Sequence, residues 1–92
     1  MEIIKIYHWA MPVNLHEQFK NDWGRITKNV AVPMGQKMAT LFQMKNGDFI
    51  SVTRWPDETS YNKWVNWIMS STEGILYHPY EQERGEPIIV LI

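Results

Sequence analysis

Three histidines, His8, His16 and His78, are the side chains of this 92-residue chain that change charge near neutral pH. Beside a weakly acidic phenol, His8 or His78 would take the proton as general base. No two of the three have the i, i+4 spacing that presents a pair of imidazoles to one metal ion. The chain has no Cys, so no thiolate ligand, Cys nucleophile or disulfide can form, and no metal site is expected. The second chemically suggestive set is aromatic: five Trp, four Tyr and three Phe. Trp55 lies on one strand face with Ser51 and Thr53, by the period of two. A pocket against that face would be flanked by Ser51 and Trp55. The other role for Trp55 is a core one, its indole N–H held by a carbonyl. Tyr61 falls in the first turn of a helix, where its hydroxyl meets a pocket mouth or water. Trp64 and Trp23 sit on apolar helical stripes, Trp67 one position off its stripe. Of the neighbours His8 and Trp9, one must face inward.

Other chemistries lack their residues. No GxGxxG, GxxxxGK[ST] or GxSxG occurs, which removes dinucleotide, P-loop and nucleophile-elbow chemistry. Glu81, Glu83 and Glu86 are expected in a solvated loop rather than around a cation. The formal net charge of −1 does not suit a binder of nucleic acid, which needs clustered Lys and Arg to displace counterions. The longest apolar run, Ile88–Ile92, is far short of the ~20 residues that span a bilayer. The first residues lack a secretory pattern. One soluble cytoplasmic domain over residues 1–92 is expected, without linker or repeat.

The elements that must position these residues follow from periodicity. Ile3–Trp9 is β-branched and aromatic and stops at Pro12, which predicts a strand. Leu15, Phe19, Trp23, Ile26 and Val30 recur at four and three, one stripe of an amphipathic helix, with Asn14 and Glu17 as a capping-box pair. Pro33 and Gly35 end it. Lys37–Met44 reads as a strand, Asn46-Gly47 as a type I′ hairpin turn, and Phe49–Trp55 as the partner strand. Asp57 is an N-cap for a second helix carrying Tyr61, Trp64, Val65 and Ile68. Thr72–Tyr80 holds a short helical turn, Glu81–Glu86 a polar loop, and Pro87–Ile92 a last strand.

The order βαββαβ predicts an α+β, ferredoxin-like fold: a four-stranded antiparallel sheet with both helices on one face. Two helices leave the other face bare, yet the strands are apolar on both sides, as at Ile3-Ile4, Phe49-Ile50 and Ile88–Ile92. A chain this short buries only roughly 60–65% of its unfolded surface. The bare face is therefore expected to meet a second copy, giving a homodimer packed sheet to sheet, with Arg54 on that side. The same fold hosts an RNA-binding domain whose sheet aromatics stack bases. Its strand motif needs a basic residue before Gly and paired aromatics, and Gly47–Trp55 has neither.

The stretch Phe49-Ile50-Ser51-Val52-Thr53-Arg54-Trp55-Pro56-Asp57-Glu58-Thr59-Ser60-Tyr61 resembles the antibiotic-biosynthesis-monooxygenase (ABM) family. The likeness lies in a strand ending in Trp, a short acidic N-cap and an aromatic six residues after the Trp. It extends through element order from the first strand to the second helix. The resemblance implies a dimeric α/β barrel and, in one branch, an oxygenase without metal or organic cofactor. There the electron-rich aromatic substrate is itself the reductant for O₂. It implies substrate contacts at Trp55 and Tyr61. Ser51 stands where that branch has Asn, and its Arg position falls near Ile75, with no basic residue close by. A second branch degrades haem and is similar through Trp64. Its strand-one Asn position meets Tyr7 and His8, and its axial His position falls at Ile75, three residues before His78. The expected function is oxidation of a small aromatic or quinol-type molecule between sheet and helices. Ser51, Trp55 and Trp64 would bind it, and Tyr61 with His78 or His8 would serve catalysis. The alternatives are a haem protein with His78 as ligand, or a non-catalytic binding or dimerisation module.

Overall fold

Strand β1 (Glu2–Trp9) lies at the centre of the sheet. The computed structural model describes residues 2–83 and 87–91. On one side β1 pairs antiparallel with β3 (Phe49–Trp55), from Ile3 opposite Trp55 to Trp9 opposite Phe49. β2 (Met38–Gln43) pairs with the far edge of β3. On its other side β1 pairs with two short strands, β4 (Glu81–Glu83) and β5 (Pro87–Leu91). Among the described residues the sheet therefore has five strands rather than the expected four. The start of the expected polar loop over Glu81–Glu86 hydrogen-bonds to the end of β1 and becomes β4. Residues 84–86 of that loop, and Ile92, lie outside the described residues, as does the two-sided apolar pattern expected of the side chains of residues 88–92.

The helical layer has α1 (His16–Ile26), α2 (Glu58–Ser70) and the single turn α3 (Thr72–Ile75). Phe19 and Ile26 of the expected stripe are buried, and Leu15, Trp23 and Val30 are half-buried. The expected Asn14 cap does not form. A 3-10 turn over Val13–Leu15 precedes α1, with Leu15 N–H donating to the Pro12 carbonyl, and no side chain caps α1. α1 runs on into a π-helical turn, Thr27–Ala31, where Val32 N–H reaches back five residues to Thr27 O. Such a turn inserts one residue and rotates the chain beyond it; here Ala31 is fully buried. Gly35, at φ +117°, ends the run. Asp57 caps α2 as expected, accepting from Ser60 N–H at 2.7 Å, and that bond holds its carboxyl below the usual range. The hairpin is not type I′. Only Gly47 has positive φ (+94°), because the Asn46 side chain accepts from Asp48 N–H while Gly47 N–H closes on Met44 O.

Register sorts the side chains. Ile3, Lys5, Tyr7 and Trp9 of β1 point to the helices with Phe49, Ser51, Thr53 and Trp55 of β3. The core beneath the helices is split. One cluster holds Trp9, Met11, Phe19, Phe49 and Tyr77, the other Ile3, Ala31, Trp55 and Tyr61, and Tyr7 packs against both. The bare face carries Ile4, Ile6, Ile50 and Val52, half-buried, flanked by Met38 and Phe42, the latter 53% exposed. Among the described residues that face carries Phe42 at one edge strand and His8, which is engaged by Asp48, and no paired aromatics of a base-stacking sheet. No helix among the described residues is long and apolar enough to cross a membrane.

Candidate functional site

A cavity of about 80 Å³ lies between the two core clusters, walled by the sheet below and the helices above. Since roughly 10–15 Å³ on this scale holds one water, it has room for several waters or a small organic ring. Tyr7 and Trp9 of β1, stacked at 5.6 Å, and Ser51 and Thr53 of β3 form the floor. Phe19, Trp23, Ile26 and Thr27 come from α1 and its π turn, and Trp64 and Ile68 from α2. Glu73, Gly74, Tyr77 and Glu81 close one side, and Gln36 enters from the loop before β2. Six aromatic side chains share the wall with six polar ones, a lining that can bind a small ring and orient it by hydrogen bonds.

The corner that carries Glu73 and Tyr77 is tied to α1 twice. Arg25 donates to Glu73 at 3.2 Å, and the Tyr77 hydroxyl donates to Asp22 at 2.5 Å. Burial, with the Asp22 bond, pushes the Tyr77 phenol up to about 12, so it stays protonated as a donor. Ser71 caps the corner by accepting from Gly74 N–H at 3.3 Å. Gly74 is required there, because a Cβ would stand 2.6 Å from the Ile68 backbone.

The expected site residues are partly brought together. Ser51, 1% exposed, and Trp64 line the cavity. Trp55 and Tyr61 are not in the wall but directly behind it. Trp55, 0% exposed, packs at 5.8 Å on both Tyr61 and Trp64, and its indole N–H donates to the Thr53 hydroxyl rather than to a carbonyl. The Tyr61 hydroxyl is hydrogen-bonded to that of Tyr7, which reaches the cavity. His78 lies beside the site: Nδ1 is 3.4 Å from the Glu81 carboxylate, which is in the wall with a side chain 13% exposed. His8 is on the opposite face of the sheet, 2.9 Å from Asp48; of the pair at the end of β1, Trp9 faces inward. Trp67 stacks on Trp64 at 5.7 Å. Arg54 lies on the bare face as expected, 3.9 Å from Glu2.

Sequence reasoning missed Glu81, read as part of a solvated loop, and Gln36, Tyr7, Thr27 and Tyr77. The parity of β1 was a usable signal for Tyr7, since Ile3 and Trp9 share it. Nothing local marks Gln36. Lys5 was missed too: it is 5% exposed, with its ammonium 4.5 Å from the centroid of the Tyr61 ring and 3.5 Å from Glu58. No group of three or more His, Asp or Glu able to hold a metal ion occurs among the described residues.

No protein-family model and no curated protein matches the chain. Solved structures do. Rv0793 from Mycobacterium tuberculosis superposes with a TM-score of 0.67 at 7% identity, covering 100% of this chain and 95% of the other. An antibiotic biosynthesis monooxygenase superposes with a TM-score of 0.66 at 11% identity, covering 100% and 98%. At these identities the likeness is one of architecture: this chain has the α+β, ferredoxin-like fold of an antibiotic biosynthesis monooxygenase.

Proposed function

We propose that the protein is a small oxygenase that binds an electron-rich aromatic or quinol-type molecule in this cavity and needs no metal or organic cofactor. The observation that carries the proposal is a cavity with six aromatic side chains and a half-buried carboxylate, Glu81, in its wall and an imidazole, His78, behind it. The shared fold with a monooxygenase supports it. The floor and Trp64 sandwich the ring, and Ser51 orients it. Tyr61, with Trp55, holds the floor through Tyr7, which makes both positioning residues. Glu81, backed by His78, removes a proton from the substrate, and the resulting anion is a far better reductant for O₂ than its neutral form. For a methylene activated by a phenolic ring the balance closes without another reductant. One oxygen atom enters as the new C=O, and the other leaves as water with the two methylene hydrogens. The surrounding wall excludes bulk water from the anion.

Oxygen uptake with a panel of hydroquinones and hydroxylated single-ring methylene compounds tests this. The expected result is turnover that falls by roughly 10²–10⁴-fold in Glu81→Gln, the range for loss of a positioned base. No uptake across the panel by folded wild-type protein would leave a non-catalytic binding module. Haem has less support. A porphyrin is larger than the cavity, and His78 is directed to Glu81 rather than lining the space.

The protein acts as a homodimer joined through the bare sheet face. Ile4, Ile6, Ile50, Val52, Met38 and Phe42 make that face apolar, and the buried Arg54 Nε makes no hydrogen bond among the described residues. Sedimentation equilibrium at micromolar concentration is expected to give a dimer, and Phe42→Glu to give a monomer. A wild-type monomer would refute the assembly and leave the cavity unaffected.

A further inference from the structure

Gln36 comes directly after the glycine that ends the first helical run, and its backbone N–H is anchored on Ala31 O at 3.1 Å. Its side chain is 6% exposed and lines the cavity beside the Ser51 and Thr53 floor. Its Oε1 is buried and accepts no hydrogen bond among the described residues. Buried acceptors in folded proteins nearly always have a donor, because an unmet one forfeits its hydration without return. Neighbouring donors are committed elsewhere. The Thr53 hydroxyl donates to Lys5 O, the Trp55 indole to Thr53, and the Tyr77 hydroxyl to Asp22. The wall carries further donors, among them the Ser51 and Thr27 hydroxyls and the indole N–H groups of Trp23 and Trp64, but none of them bonds to Gln36 Oε1.

We infer that Gln36 is the specificity-determining residue of the cavity, its Oε1 accepting a hydrogen bond from a hydroxyl or N–H group on a single-ring aromatic ligand. This inference rests on the proposed use of the cavity for a small aromatic molecule. A site with an unmet acceptor favours a ring that can donate, since only such a ring supplies the missing hydrogen bond. Phenols and anilines are thereby selected over hydrocarbons of the same shape.

Phenol and toluene, nearly equal in size, are the probes, and their binding to the full chain is followed by NMR titration. Gln36→Met keeps the length of the side chain and removes the acceptor. The phenol-to-toluene preference is expected to shift about tenfold toward toluene in Gln36→Met, the value of one hydrogen bond. The ligand-free variant is expected to melt about 4–8 °C higher, since an unmet polar group has been removed. Gln36→Leu repeats the comparison should the methionine variant not fold. An unchanged preference with an unchanged melting temperature would mean that Gln36 is met by a resident water only, and would overturn the inference while leaving the cavity a ligand site. Failure of wild-type protein to bind either probe would overturn the inference together with the proposed use of the cavity.

Discussion

Trp55→Ala is expected to cost about 3–5 kcal/mol, a large fraction of the stability of a protein of this size. The side chain is 0% exposed and stands where β3 meets α2, in contact with Tyr61 and Trp64. Truncation removes the largest fully buried side chain of the chain and leaves a void that the strand cannot close, because both neighbours of β3 are hydrogen-bonded in register. It also leaves the Thr53 hydroxyl without the N–H it accepts. Trp55→Phe keeps an aromatic ring and forfeits the hydrogen bond and part of the volume, so a loss of about 1–3 kcal/mol is expected. Urea unfolding followed by circular dichroism measures both. The phenylalanine variant should still bind phenol, since Trp55 supports the cavity wall without forming it. A loss below about 1 kcal/mol in the alanine variant would mean that Trp55 is not the keystone of its cluster.

Gly74→Ala should be the glycine-to-alanine change with the severest clash among the described residues. The added Cβ would lie 2.6 Å from both Cα and O of Ile68, backbone atoms that cannot swing aside. The α3 turn must back away from α2, which strains the Ser71 cap and moves Glu73 and Tyr77, the two residues that tie this corner to α1. Overpacking of this kind costs about 1–3 kcal/mol. Because Glu73, Gly74 and Tyr77 are all wall residues, phenol affinity should fall at least tenfold as well. Gly24→Ala is the control. That glycine is exposed within α1 with nothing within 4 Å of its Cβ position. Alanine there should stabilise the protein by roughly 0.5–1 kcal/mol through helix propensity. Thermal melts and the same NMR titration separate the two. Equal behaviour of the two variants would show that the α2–α3 corner is free to move.

Much of the architecture was legible because it rests on periodicity. The three- and four-residue spacing of Phe19, Trp23 and Ile26, the β-branched and aromatic run from Ile3 to Trp9, and the Asp57 cap are local signals, and each forms the element it predicts. The misreadings share one cause: a long-range partner redirected a local preference. Glu81 has the composition of a loop residue, yet the free edge of β1 draws its segment into the sheet. Asn46 tolerates positive φ, but its side chain engages Asp48 instead. The site was half legible. Ser51 and Trp64 follow from face and stripe, whereas Trp55 and Tyr61 fall one layer back because Tyr7, Thr53 and Ser51 occupy the floor in front of them. Gln36 carries no pattern at all, since a loop position becomes a wall position only when the loop is folded over the sheet.

The central place of β1 also governs how the chain reaches its fold. β2 and β3 are joined by a tight turn and can pair locally, on the microsecond scale of hairpins. β1 must instead close a loop of about fifty residues to meet Trp55, and a longer one to meet β4 and β5. The strand synthesised first is thus the last to be satisfied on both edges. Until then its alternating Ile, Tyr and Trp side chains face water beside unpaired backbone, the situation in which nascent chains mispair with one another. Refolding should accordingly be slow for so small a chain, closer to the millisecond-to-second range of non-local sheets than to that of helical bundles.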